Sequence, residues 1–527
     1  MKSKLKNVLI ICMMTIFYTI VLTFIFPQTR SFMLDSIGKV SEYLRQELTA
    51  TLQIETSSTK SKASVTNVKN SKTDYVPTYY IKASLNEESY QIDGQMNITI
   101  ENPKTDSVVF YTYPYAWSPM IIKKVLLNEV VVPFSYDQKQ IVVKNPKEEK
   151  KLNFTIEFKT PVPRKGTRFG YKDDVWLITT WYPMLGVLDK NRNWIDRPDP
   201  IGMGDPFLFN FADYVVEWTS SPSIKWLSSG PFLSETTIES NRKITWKVNN
   251  VRNFALAGSK NFQVKKLQFE NTTVSIALTD QDKFEEIIDI VNFSFPLFQT
   301  YFGQLPYSNV AIVETGRDTN FALEYPNLAI FSKDMYINNQ VEHWLPHEIG
   351  HMWWYNAVGV NEIENGWIDE GLAELSVVLY LENRYYTLAG KKLRDVYRER
   401  NELLTKNSSN QSMDAGLYGF KNKKEFYDSW YARSADMFLT LRDEIGENKF
   451  KNFISTLYQN NIGKTINEKS IEQALEESLH LKTDLFQNWT QEPYDRTNWN
   501  IEGTSASDLS FRKGEKETKH NSSSETN

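Results

Sequence analysis

Cysteine is almost missing from this chain. Cys12 is the single one in 527 residues, which excludes any disulfide within the chain and any thiolate metal cluster. Histidine is scarce as well, with five in all. A strong charge of either sign is absent. The 60 Lys and Arg against 65 Asp and Glu leave a net charge of −5, which excludes the basic footprint of a nucleic-acid partner. No internal repeat is visible. What remains is an ordinary globular composition, 41% hydrophobic, 24% charged and 13% aromatic. The length allows about two to four domains with well-filled cores.

The amino terminus carries one long uncharged run. Lys2, Lys4 and Lys6 precede Val8 to Phe26, long enough as a helix to cross roughly 28 Å, about one hydrocarbon core. Lysines before the run and a long chain after it predict residues 1–7 in the cytoplasm, an anchor over 8–27 and the bulk outside the membrane. A cleaved signal peptide, giving a secreted protein, is the rival; the run is long for one and no clear A-x-A-like site follows. Cys12 reads as an apolar residue of the span, since Leu9-Ile10-Ile11 lacks the small residues that lipoprotein processing needs.

Residues 28–76 read as a stalk. The stretch from Thr56 to Asp74 is rich in Ser, Thr and Lys and has almost no large apolar residue. From 77 to 262 the pattern alternates with period two, as in Met96, Ile98, Ile100 and Leu152, Phe154, Ile156, Phe158. This predicts a half-buried antiparallel β-rich domain. Inside it, Trp181 to Phe209 is irregular and rich in Pro, Gly, Asp and Trp, and loops of that length usually line something. Residues 263–495 turn mainly helical after a few short strands. Phe284, Ile287, Ile288, Val291, Phe295 and Phe298 recur at helical spacing, with Pro296 expected to kink or end that helix. The polar stretch 496–527 reads as a disordered tail. The fold class expected is therefore α+β and multidomain, with a single N-terminal transmembrane helix.

Three of the five histidines fall within nine residues, at His343, His347 and His351. His347 and His351 stand one helical turn apart and project from one face, so a single metal ion can touch both. Glu348 lies one step round the helix, within reach of a water on that metal. Glu370 follows in Trp367-Ile368-Asp369-Glu370-Gly371. Two His and one Glu make a three-ligand zinc site with an open fourth position, the mark of a catalytic site, and Glu348 is the general base. The alternative, an amphipathic helix with two core histidines, leaves Glu370 unexplained. Glu374, one turn after Glu370, either steadies a ligand imidazole through its free N–H or is a solvated helix carboxylate. His343 reads as a residue beside the site rather than a ligand. Pro346 implies a helix that starts near Leu345 or is kinked there. Trp353 and Trp354 read as packing.

These stretches resemble the aminopeptidase N family of gluzincin zinc metallopeptidases. The resemblance covers roughly residues 77–495. His347 to Trp353 and Trp367 to Ala373 are similar to its zinc motifs, and Tyr301 to Tyr307 to the entry of its catalytic domain. Phe321-Ala322-Leu323-Glu324-Tyr325-Pro326 resembles its Gly-Ala-Met-Glu-Asn exopeptidase motif, and Tyr431-Ala432-Arg433-Ser434-Ala435 its Tyr-x-Lys-Gly-Ala segment. The resemblance implies an N-terminal antiparallel β saddle or sandwich domain, a thermolysin-like, mainly helical catalytic domain, and one zinc per chain held by His347, His351 and Glu370. It implies Glu324 as the binder of the substrate's α-amine and Tyr431 as donor to the oxyanion.

The departures bear on specificity. Phe321 stands where the motif has a glycine, and no glutamine lies in Trp181 to Met184, where a second amine-binding residue is expected. The large helical C-terminal domain common in the family has no counterpart in this sequence, which implies a more open cleft. The reading is zinc-dependent removal of N-terminal residues from peptides outside the membrane. The alternatives are a zinc endo- or oligopeptidase with an altered amine site, and a non-catalytic peptide-binding ectodomain. The partners expected are peptide substrate and, through residues 8–27, the membrane.

Overall fold

The computed structural model describes residues 76–491, apart from 117, 147–148, 165–167, 317–320, 386–387 and 407–411, together with 501–502. The described residues belong to one compact unit, Asp74–Asn527. The anchor expected over 8–27 and most of the stalk lie outside them. Among the described residues no helix is long and apolar enough to cross a membrane.

The β-rich region is built on an eight-stranded sheet. Its strand order is Phe232–Ile238, Asn241–Val251, Ala212–Ser220, Thr78–Asn86, Gln91–Glu101, Lys151–Pro161, Ile121–Leu127 and Val130–Val131. The period-two pattern has its cause here. Leu152, Phe154, Ile156 and Phe158 are buried on one face of Lys151–Pro161, and Ile92, Met96, Ile98 and Ile100 match them on the neighbouring strand. Two four-stranded sheets pack the region further. Trp181, Tyr182, Tyr214 and Trp218 fill its interior through edge-to-face ring contacts. One pairing departs from the antiparallel expectation. Thr78–Asn86 pairs in parallel with Ala212–Ser220 while it pairs antiparallel with Gln91–Glu101. A parallel pair needs a long crossover rather than a hairpin, and the intervening chain supplies it.

The next region opens with a five-stranded sheet in the order Gln263–Phe269, Thr272–Leu278, Asn309–Thr315, Leu328–Ser332, Ala322–Tyr325. The central pairs are parallel; Ala322–Tyr325 returns as an antiparallel edge strand. The turn before its partner needs Asn327 at φ 55°, a conformation asparagine tolerates. Helix Phe284–Tyr301 forms the crossover and continues through Pro296, so that proline does not end it. Its apolar stripe, with Ile287, Val291, Phe295 and Phe298 fully buried, holds the helix where one hydrogen bond is lost. Helices then dominate: Val341–Gly350, Trp367–Arg384, Leu388–Lys406, Ser434–Ile445, Glu447–Asn461 and Glu468–Leu479. Ile501–Glu502, within the stretch expected to be a disordered tail, instead pairs with Lys482–Thr483.

Gly350 lets the helix that carries His347 approach the one that carries Glu370, and Gly371 lets the latter approach Ser434–Ile445. A Cβ on Gly350 would lie 2.8 Å from Ser376 Oγ, and one on Gly371 would collide with Ser434. Helix Val341–Gly350 also packs on strands Ala322–Tyr325 and Leu328–Ser332. The edge strand and the two helices, all within residues 322–384, therefore converge on one spot.

Candidate active site

Helix Val341–Gly350 starts earlier than Pro346 suggested, and the proline sits inside it. His351 keeps a helical conformation just past its end, at φ −63° and ψ −14°, so the one-turn spacing of His347 and His351 is preserved. Their Nε2 atoms lie 3.0 Å apart. Glu370, in the first turn of Trp367–Arg384, brings Oε2 to 3.3 Å from His347 Nε2 and 3.5 Å from His351 Nε2. All three side chains are buried.

The fit to a metal is testable on these atoms. Glu370 Oε2 is buried and has no hydrogen-bond partner among the described residues. It and the two imidazole nitrogens converge on a common point, the one such grouping of His, Cys, Asp and Glu among the described residues. Burial opposes charge on each group. Even so, Glu370 and Glu374 raise His347 to about 10, and the two histidines lower Glu370 to about 2. The spot attracts positive charge, and a nitrogen, nitrogen, oxygen donor set suits zinc.

Behind the ligands lies a supporting layer. Glu374 Oε1 is 3.2 Å from His347 Nδ1 and 3.4 Å from His343 Nε2, and Tyr397 donates its hydroxyl to the other Glu374 oxygen. Burial works against the Glu374 carboxylate, yet His343 and His347 hold it well below its usual range. Of the two readings of Glu374, the structure has the buried one. His343 touches Glu374 and not the three-atom cluster. His351 Nδ1 is 3.0 Å from Trp354 O, which fixes the second ring. Trp353 and Trp354 are core residues, packed against Phe295, Phe298, Phe302 and Tyr458.

Glu348 is 2% exposed, and its Oε2 has no hydrogen-bond partner among the described residues. Burial lifts its carboxyl to about 7, opposed by the two histidines. Tyr431 lies in a π-helical stretch, Tyr427–Arg433, of a kind often found at functional sites. Its hydroxyl donates to Glu370 Oε1 at 2.5 Å, and its ring stacks on His347 at 5.8 Å. Burial and then the Glu370 charge push the phenol well above its ordinary range, so it stays a neutral donor.

Glu324 lies on the edge strand against the histidine helix and is 7% exposed. Alternation along the strand settles where Phe321 goes. Phe321, Leu323 and Tyr325 share the opposite face and pack with Val175, Leu177 and Ile330 in a separate small core. The Phe321 side chain is therefore turned away from the face that carries Glu324. Burial raises the Glu324 carboxyl well above its usual range, with Asp205 the next cause.

Asp205 and its ion-pair partner Arg168 were not singled out in the sequence. The one signal was the irregular stretch from Trp181 to Phe209 that contains Asp205. Also unforeseen was a buried pair between Arg252, at the end of strand Asn241–Val251, and Glu362, with Nη1 to Oε1 at 2.6 Å. Asp369, next to Glu370, hydrogen-bonds to Glu362, and Arg252 also donates to Val360 O at 2.7 Å.

Residues 282–490 match the model of the Peptidase family M1 domain. No curated protein is matched in sequence. Among solved structures, the fold is similar to that of an M1 zinc metallopeptidase from Deinococcus radiodurans. That likeness has a TM-score of 0.57 and 15% identity, and spans 77% of this chain and 90% of that one. A variant of the Deinococcus enzyme bound to a Tyr-Ser-Ala substrate gives a TM-score of 0.56 at 15% identity over the same shares. A two-domain M1 zinc metallopeptidase variant bound to L-tryptophan gives 0.55 at 16% identity, over 78% of this chain and 92% of that one. Residues 282–490 thus carry a domain that matches the M1 peptidase model, and within it His347, His351 and Glu370 converge as a triad suited to zinc.

Proposed function

We propose that this zinc peptidase acts as an aminopeptidase, releasing N-terminal residues from peptides. The observation that carries this reading is the pairing of Glu324 and the zinc triad on adjoining elements, with Phe321 on the opposite strand face. A buried carboxylate beside the metal suits the ammonium of a free N-terminus, through charge-assisted hydrogen bonding. It sets the first peptide bond, rather than an internal one, within reach.

His347, His351 and Glu370 would hold the zinc, which when bound supplies Lewis acidity and a water nucleophile near neutral pH. The chain's own groups do the remainder. Glu348, ionised, takes a proton from the attacking water and passes it to the leaving amine. Tyr431 swings its hydroxyl hydrogen bond from Glu370 to the oxyanion that forms as water adds to the carbonyl. Glu324 holds the α-amine. The buried phenol and carboxylates act in a low-dielectric setting, where such interactions are strong.

The location of the enzyme is also a proposal. Lysines before the uncharged run at 8–27 support an anchor that leaves the peptidase outside the membrane. Proteinase treatment of intact cells tests this, and protection of residues 77–495 would overturn it.

The function is tested by a panel of peptides with free and acetylated N-termini, read by mass spectrometry with and without a chelator. Ladders of N-terminal products from the free peptides alone are expected, lost on chelation. Equal cleavage of acetylated peptides at internal bonds would establish the endopeptidase reading instead.

A further inference from the structure

The hydroxyl of Tyr431 reaches Glu370 from a π-helical turn, Tyr427–Arg433, that runs on into helix Ser434–Ile445. Such i→i+5 turns are rare, so tertiary contacts must select this one over a continued α-helix. Two residues at the junction make those contacts.

Arg433 closes the turn. It is fully buried, and its Nε donates to Asn401 Oδ1 at 2.9 Å. The same Asn401 amide donates through Nδ2 to Asp436 Oδ2 at 3.0 Å. One planar amide therefore spans the junction, with Arg433 on the π side and Asp436 in the first turn of the α-helix. Asn401 is 1% exposed, a depth at which a polar group is held only by its hydrogen bonds. It lies on helix Leu388–Lys406, about one turn after Tyr397. Tyr397 holds Glu374, which lies behind His347. One face of this helix thus backs a zinc ligand through Tyr397 and the tyrosine turn through Asn401.

Ser434 makes the second contact. Its Oγ donates to Trp367 O at 2.5 Å, at the start of the helix that carries Glu370. A Cβ on Gly371 would collide with the same oxygen, so this helix sits hard against Ser434. The contact sets the height of the tyrosine turn along the Glu370 helix. Arg433 and Ser434 are also the positions at which this chain departs from the Tyr-x-Lys-Gly-Ala segment it resembles. A glycine would have no hydroxyl to donate, and a lysine would lack the planar guanidinium.

We propose that Asn401, acting through Arg433, and Ser434 are positioning residues for Tyr431: they hold the π turn that delivers its hydroxyl to the oxyanion. This rests on the donor role given to Tyr431 above and deepens it. A turn displaced by about 1 Å would keep its residues buried and still misplace the hydroxyl, at a cost of up to about 10²-fold in rate.

The test is a double-mutant cycle on kcat, with the zinc-loaded full chain and a peptide with a free N-terminus. Asn401→Ala is expected to lower kcat by about 10- to 100-fold with KM little changed. Zinc content, read by metal analysis, should stay at one per chain. Tyr431→Phe has no hydroxyl left to place, so adding Asn401→Ala to it should change kcat by less than about 2-fold. Should Asn401→Ala strand Arg433 and prevent folding, Ser434→Ala removes only the bond to Trp367 O and carries the same expectations. Equal losses in the two backgrounds would show support of the fold without action through Tyr431, and would overturn the proposal. So would a wild-type kcat in the folded single variants. If Tyr431→Phe itself kept full kcat, the donor role would fall first, and the positioning role with it.

Discussion

Glu374 Oε1 lies 3.2 Å from Nδ1 of His347, while Nε2 of the same ring is 3.3 Å from Glu370 Oε2. One imidazole is thus held between two carboxylates, one behind it and one beside the metal point. A carboxylate behind a ligating histidine fixes the tautomer and raises the ligand's basicity. Glu374→Gln should therefore weaken zinc binding by about 10- to 100-fold. Competition with a chromogenic chelator measures this, and an unchanged affinity would show that Glu374 does not steady the ring.

Glu348→Gln keeps the shape of the side chain and removes its basicity. Turnover should fall by about 10²- to 10⁴-fold, the usual contribution of a general base. Zinc should remain bound, because Glu348 is not among the three converging ligand groups. Persistent activity at full zinc occupancy would exclude Glu348 as the base.

Tyr431→Phe removes one donor and leaves the ring against His347. A donor to a forming oxyanion acts mainly in the transition state, so kcat should fall by about 10²- to 10³-fold while KM changes little. A rise in KM alone would assign the hydroxyl to substrate binding instead.

The pH profile should have an acid limb set by Glu348. Burial raises its carboxyl to about 7, and the base works only when ionised. As pH falls through that value the proton is retained and kcat/KM declines. The positive charge of bound zinc favours the carboxylate, so the limb should lie somewhat below 7 in the loaded enzyme. In Glu348→Gln the residual rate should lose this limb.

Arg252 and Glu362 are 1% and 5% exposed. Arg252→Met leaves the Glu362–Asp369 carboxyl pair without its cation, and breaking such a buried pair costs about 3–5 kcal/mol. Chemical denaturation should report that loss. The double variant Arg252→Met/Glu362→Leu should recover part of it, since no buried charge of the pair is then stranded.

Much of the metal centre was legible because it is local. His347, Glu348 and His351 share one helix, and helical geometry alone sets them on adjacent positions. Glu370 sits on the next long helix, joined to the first by residues 351–366. Glu324 was visible through its neighbours in Phe321 to Pro326, but the meaning of Phe321 was not. Strand alternation turns it away from Glu324, and that depends on which face of the sheet meets the β-rich region. Asp205, Arg168 and Arg252 were illegible for a different reason. Each arrives from a segment remote in sequence, and no periodicity marks a charged residue whose partner is supplied by tertiary packing. The course of the helix through Pro296 has a similar origin: buried Phe295 and Phe298 outweigh the local cost of proline.

The parallel pairing of Thr78–Asn86 with Ala212–Ser220 also has a consequence for biosynthesis. Translation runs from the amino terminus, so Thr78–Asn86 emerges early and can pair at once with Gln91–Glu101. Its other edge must wait until residues 87–211 have been made, about 6–25 s at the usual rate of 5–20 residues per second. During that interval the nascent sheet shows an open row of backbone donors and acceptors, a template for wrong pairing with another chain. Arrival of the later strand covers that edge, and the turn at Gly204 that carries Asp205 has been made only a few residues before it.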